Sequence, residues 1–232
     1  MRVRSVAALL RPLAAFIFLA TLSGGSAGAQ TSPQAAFSER RFDELMSLPQ
    51  WQEIARALPR EAAQVRSCLK GHCSSAGAIR MAAYLSRGLR SDRGAQLRSI
   101  HQLVNRQPYR EDLDQFGEED RWQTPLAFAM RGGDCEDFAI AKYFLLRLLG
   151  MPAADLRVTV LTGRDRSEVH AVLLARLNGE WLVLDNRLEE PRPLRGYEGW
   201  ILQYGVSEAG GFRYGSTQQG PSGRILKSPA NR

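Results

Sequence analysis

Cys135 stands directly after Gly132-Gly133-Asp134 and directly before a helical pattern carrying Phe138, Ala141, Lys142, Leu145, Leu146 and Leu149, with Gly150 and Pro152 as the stop. A cysteine at a helix N-terminus meets partial positive charge and free main-chain N–H groups, which favour the thiolate and can receive an oxyanion. Gly132 and Gly133 would let a substrate main chain approach closely. The alternative is an inert core cysteine, since buried cysteines are common. Both readings fit Cys135 taken alone.

A base and an orienting acid follow from the next elements. Leu156–Leu161, Val169–Leu177 and Trp181–Leu184 are rich in Val and Leu and read as strands, and Asn178-Gly179 is a type I′ hairpin signal. A two-residue turn sets Leu177 opposite Glu180 and Val172 opposite Asp185, with His170 two residues further along. Because side chains alternate, His170, Val172, Val183 and Asp185 then emerge on one face. His170 and Asp185 become diagonal neighbours, about 7–8 Å apart at the backbone and closer at the tips. The carboxylate would orient the ring while the other ring nitrogen faces the helix of Cys135. A satisfied core histidine is the competing reading of His170.

Asp134, Glu136 and Asp137 flank the cysteine, and their charge would oppose a thiolate. Two readings stay open: acids suited to the first turn of a helix, or oxygen ligands of a hard cation such as calcium. A calcium ion needs six to eight oxygens, so further acids or carbonyls would have to join, with the acidic Asp112–Asp120 segment as one source.

The elements that carry these residues are helices first and an antiparallel sheet second, an α+β chain. Leu45, Leu48, Trp51, Ile54 and Leu58 recur at helical spacing with a break at Pro49, and further helices are expected over about Ala76–Leu89 and Ala95–Asn105. Asp112 to Asp120 reads as a loop, and Trp122-Gln123-Thr124-Pro125 leads into a short helix. The stretch 30–41 reads as a flexible N-terminus and 211–232 as a disordered tail, bracketing one domain over 42–210. There is no internal repeat.

The ends point to export. Arg2 and Arg4, the apolar run Leu13–Leu22 and Ala27-Gly28-Ala29 form a signal-peptide pattern over 1–29, the run being shorter than the roughly 20 residues a membrane span takes. Cleavage before Gln30 removes three arginines and no acid, so the formal charge falls from +7 to +4. No Lys/Arg run is interleaved with aromatics, so a nucleic-acid partner is not expected. In an oxidising compartment Cys68 and Cys73 are candidates for a disulfide, which leaves Cys135 as the odd thiol. Cys68, His72 and Cys73 supply too few ligands to close a zinc site.

The run Tyr109-Arg110, Asp112, Gly117, Asp120-Arg121-Trp122-Gln123-Thr124-Pro125 and Gly132-Gly133-Asp134-Cys135-Glu136-Asp137-Phe138-Ala139-Ile140-Ala141-Lys142-Tyr143 resembles the bacterial transglutaminase-like cysteine peptidases of the LapG type. Leu149-Gly150-Met151-Pro152, His170-Ala171-Val172-Leu173 and Val183-Leu184-Asp185-Asn186 carry the same resemblance, which spans about Phe42 to Tyr204. It implies a papain-like, transglutaminase-core fold, with an N-terminal helical lobe packed with a C-terminal antiparallel sheet. It also implies a Cys135–His170–Asp185 triad and a calcium ion at Asp134, Glu136 and Asp137, with Trp122 and Cys135 as candidates for the oxyanion hole. The expected activity is periplasmic cleavage of the N-terminal region of a very large surface adhesin at a di-alanine site, which controls biofilm attachment. The expected inhibitory partner is the periplasmic domain of an inner-membrane cyclic di-GMP receptor. Beyond Asn186, Tyr197, Trp200 and Tyr204 are only roughly in register with the family and carry nothing over. Two alternatives keep the fold: a transglutaminase-like acyltransferase, in which an amine resolves the thioester, and a non-catalytic binding module.

Overall fold

A computed structural model describes residues 38–88 and 92–215. The expected signal peptide, residues 30–37 and residues 216–232 lie outside the described residues. The helical half comprises α1 (Pro49–Leu69), α2 (Ala76–Gly88), α3 (Arg93–Val104), α4 (Asp112–Phe116), α5 (Pro125–Arg131) and α6 (Cys135–Leu148). Seven strands follow or flank them: β1 (Ser38–Arg41), β2 (Leu156–Gly163), β3 (Val169–Leu177), β4 (Glu180–Leu184), β5 (Arg192–Pro193), β6 (Trp200–Ser207) and β7 (Gly210–Gly215). They form one antiparallel sheet in the order β1-β7-β6-β2-β3-β4-β5. No helix among the described residues is long and apolar enough to cross a membrane.

The α+β reading holds, with corrections at the ends. Ser38–Arg41, expected to be flexible, pairs as an edge strand with β7, and Gly210–Gly215 begins where a loose tail was expected. The pairing depends on main-chain bonds, so the exposed charged residues of β1 and the glycines of β7 gave little apolar signal to read. The segment Asp112–Asp120 is not all loop: α4 occupies its first half and stops at Gly117, whose φ of +70° suits glycine.

The hairpin register is the one the turn dictates. Asn178 and Gly179 both have positive φ, as a type I′ turn requires, and Leu177 faces Glu180. Pairing runs from there to Leu173 opposite Leu184, while the other edge of β3 pairs with β2 along Val169–Ala175.

The helix α6 is the centre of the molecule. Its apolar residues were expected to form a stripe, yet every residue from Glu136 to Leu146 is buried. A helix covered on all sides is a core helix. It packs on β3 and β2 on one side and on α3 and α5 on the other. Trp51 from α1 meets the Tyr143 ring edge-on at 5.8 Å, and Phe128 from α5 meets Phe138 at 4.9 Å. Cys68, at the end of α1, is joined to Cys73 by a disulfide, as the spacing suggested. The first residue of this central helix is Cys135.

Candidate active site

The turn before the nucleophile is built by close packing. Gly132 has φ +76°, and a Cβ there would collide with the Pro108 carbonyl. A Cβ on Gly133 would collide with the Asp137 carboxylate and the Gln123 amide. The glycines are therefore required by the protein's own interior, a different reason from the substrate approach expected of them. Tyr109 pairs with Gly133 in a parallel bridge, and the Arg110 N–H donates to the Gly133 carbonyl at 2.9 Å. This fixes the angle at which the chain enters α6.

Cys135 is partly exposed and is the free cysteine among the described residues. Its Sγ donates to Glu136 Oε2 at 3.3 Å, and the main-chain N–H of Ala171 in β3 favours its thiolate. The second influence follows from the register. Leu177 and Glu180 close the turn as a hydrogen-bonded pair, so odd-numbered residues of β3 turn their main chain toward β4. Because β4 pairing stops at Leu184, the Ala171 N–H has no β4 residue beside it and stays available on the side of the sulfur. Burial, followed by the Glu136 and Asp134 charges, pushes the thiol far above its ordinary value.

His170, one residue from Ala171, is 1% exposed. Its Nε2 lies 2.8 Å from Asp185 Oδ1, as the hairpin arithmetic requires. With the Nε2 proton directed to the carboxylate, Nδ1 keeps a lone pair, and this buried nitrogen has no hydrogen-bond partner. Asp185 also accepts from the Tyr197 hydroxyl at 2.6 Å and from the Arg187 amide at 3.0 Å. Burial raises the Asp185 carboxyl, but His170, Tyr197 and the Arg187 amide together outweigh it and hold the group at about 2. Trp200 lies 5.2 Å from the His170 ring and stacks on Tyr197. Tyr197 and Trp200 escaped the sequence reading as site residues. Their i, i+3 aromatic spacing after a Pro- and Arg-rich segment was the available signal.

Four acids approach the nucleophile, and they fall into two groups. Asp112, Asp134 and Glu136 are all buried and bring ligand oxygens within 4.8 Å of one another. Asp137, expected to be a ligand, is instead engaged with Gln123, whose main-chain N–H donates to Oδ1 at 2.7 Å and whose side-chain amide donates to Oδ2 at 2.5 Å. Asp112, at the head of α4, takes its place in the cluster. Burial raises the carboxyls of both Asp112 and Asp134; the Glu136 and Asp112 charges add to it at Asp134, while at Asp112 the added repulsion comes from Asp120 and Glu118. Asp112 Oδ1 and Asp134 Oδ1 are buried without hydrogen-bond partners. An all-oxygen, anionic donor set with orphaned lone pairs fits a hard cation of the calcium type.

Trp122, the other candidate for the oxyanion hole, is nearly buried, and its indole N–H donates to Asp120 Oδ1 at 3.1 Å. In this structure that donor is therefore engaged by Asp120. The Cys135 amide opens α6, where no preceding helical turn supplies an acceptor.

Comparison with known proteins agrees with this geometry. The family model described as bacterial transglutaminase-like cysteine proteinase matches residues 67–196. The chain belongs to this family of cysteine proteinases. The calcium-bound structure of Legionella pneumophila LapG is 23% identical, with a TM-score of 0.55 over 68% of this chain and 92% of that one. An EGTA-treated structure of the same Legionella protein gives 23% identity and a TM-score of 0.53, over 69% and 90% of the two chains. The transglutaminase-like fold is thus shared with these solved structures. No curated protein matches the chain.

Proposed function

We propose that this proteinase cleaves its substrate with a Cys135–His170–Asp185 triad and depends on a calcium ion held by Asp112, Asp134 and Glu136. The observation that carries the reading is the 2.8 Å His170–Asp185 bond, with the buried His170 Nδ1 left open and the free thiol of Cys135 at the head of α6 packed on β3. In this scheme Nδ1 takes the thiol proton and the sulfur attacks the scissile carbonyl. The Cys135 amide at the head of α6 receives the oxyanion. His170 then returns the proton to the leaving amine, forming a thioester, and next activates the water that hydrolyses it. Asp185 holds the ring and stabilises the imidazolium throughout. Calcium, when bound, would offset the carboxylate charge that otherwise opposes the thiolate.

By resemblance to the LapG type, the substrate is the N-terminal region of a large surface adhesin, cut at a di-alanine site in the periplasm. Resemblance also supports restraint of the enzyme by the periplasmic domain of a cyclic di-GMP receptor. Membership of a proteinase family favours water over an amine as the thioester's acceptor, and together with the His170–Asp185 bond it favours an enzyme over a binding module. The test is incubation of purified protein with such an adhesin segment. Cleavage should be lost in EGTA, restored by calcium and absent from Cys135→Ala. Unchanged cleavage in chelator would remove the metal, and amine-labelled product in place of hydrolysis would favour acyl transfer.

A further inference from the structure

Lys142 is 1% exposed in a helix whose other buried positions are aliphatic, aromatic or acidic. It follows Cys135 by seven residues, two helical turns, so both side chains leave the same face of α6. The helix of Cys135 packs on β3, and Lys142 reaches β4: its Nζ donates to the Leu184 carbonyl at 3.1 Å. Leu184 is the last residue of β4, and the next residue is Asp185. One charged side chain therefore ties the nucleophile's helix to the strand end that presents the orienting acid.

The groups around the ammonium fix what its charge can do. From α3, His101 Nε2 donates to the Leu188 carbonyl at 2.9 Å, and Asn105 Nδ2 donates to the Leu188 and Asp185 carbonyls at 2.9 and 3.3 Å. Burial, then the Lys142 charge, lowers His101 to about 4, so His101 is neutral at physiological pH. From α6 itself the Phe138 ring lies 5.9 Å from Nζ. From the β4 side the facing charge is Asp185, which favours the ammonium against the burial that lowers it to about 7. A buried lysine with one acceptor is a costly way to fill core volume, and an apolar side chain would pack there at lower cost.

We infer that Lys142 is a positioning residue for the active site, clamping the end of β4 to α6 and supplying the buried positive charge opposite Asp185, so that the carboxylate meets His170. The inference rests on the triad reading and deepens it. Lys142 touches no substrate; its effect must pass through Asp185.

The test compares Lys142→Met, Asp185→Asn and the double variant in calcium at one pH, reading the alkylation rate of Cys135 by iodoacetamide. That rate needs an activated thiol but no protein substrate. If wild type alkylates fast yet cuts no adhesin segment, the substrate reading fails and this comparison still stands. Lys142→Met should unfold cooperatively and alkylate at least ten-fold more slowly than wild type. In the Asp185→Asn background the same substitution should change the rate by less than two-fold. A rate within two-fold of wild type for Lys142→Met, or an equal loss in both backgrounds, overturns the inference. Lys142→Gln, which retains an N–H donor, replaces Met if the Met variant does not fold. Failure of both to unfold cooperatively assigns Lys142 to the fold and overturns it as well.

Discussion

At the scale of single residues, Asp185 carries a consequence that can be measured without a substrate. Its carboxyl is held at about 2, below the ordinary carboxylate value. A depressed carboxyl contributes stability that is fully present above about pH 4 and is lost as pH falls through the folded value. The gap between that value and the ordinary one corresponds to roughly 2–3 kcal/mol. Asp185→Asn should therefore flatten the fall of Tm between pH 4 and 2, and an acid arm as steep as that of wild type would contradict the bonding described. Tyr197→Phe removes one hydrogen bond to the same carboxylate, at a cost of about 1–3 kcal/mol for a charged acceptor. Its cleavage rate should fall by several-fold with KM little changed, which steady-state kinetics would check. His170 and Asp185 were legible because a two-residue turn leaves one register. Lys142 was not, because a lysine inside an apolar helical pattern reads as part of the stripe until its burial is known.

At the scale of elements, the site depends on how α5 and α6 are seated. Glu61 of α1 is buried and accepts the Leu126 N–H, in the first turn of α5, at 3.0 Å, so one helix caps another. Glu61→Ala should destabilise the protein by about 1 kcal/mol or more, the usual cost of a lost cap. Thermal unfolding would read that loss, while kcat at saturating calcium should stay within two-fold. Gly133→Ala should act on both, because the added methyl strikes Asp137 and Gln123 where α6 begins. Overpacking of this kind costs about 1–3 kcal/mol, and the cleavage rate should fall beyond what stability explains. The helix after Gly132-Gly133 and the β3–β4 hairpin were readable from turn chemistry and periodicity. The strands β1, β6 and β7 were not: β6 and β7 turn at Glu208-Ala209, which lacks the Asn-Gly signal, and β1 joins them only by long-range pairing.

At the scale of the whole molecule, α4, the turn before α6 and α6 itself converge on one acidic cluster, so a cation there would tie distant parts of the chain together. Binding to the folded state alone adds about 2.7 kcal/mol at a hundred-fold excess over Kd. Tm should rise in calcium and fall in EGTA, and Asp112→Asn should shrink that shift. Asp137→Asn should lower Tm in both conditions yet keep the calcium response, because its partner is Gln123. The sequence pointed to the acids around Cys135 but could not choose among neighbours one residue apart. On a helix such neighbours face about 100° apart, and only the packing of Gln123 against Asp137 decides which acids reach Asp112.

The central claim is that Cys135 is a nucleophile made reactive by His170 and Asp185. The most direct measurement is intact-mass analysis of the purified protein after exposure, in calcium, to a peptidyl chloromethyl ketone bearing Ala-Ala. A single adduct on Cys135 is expected in wild type, with labelling lost in His170→Ala and strongly slowed in Asp185→Asn. Equal labelling of wild type and His170→Ala, or an adduct at any other residue, would contradict it.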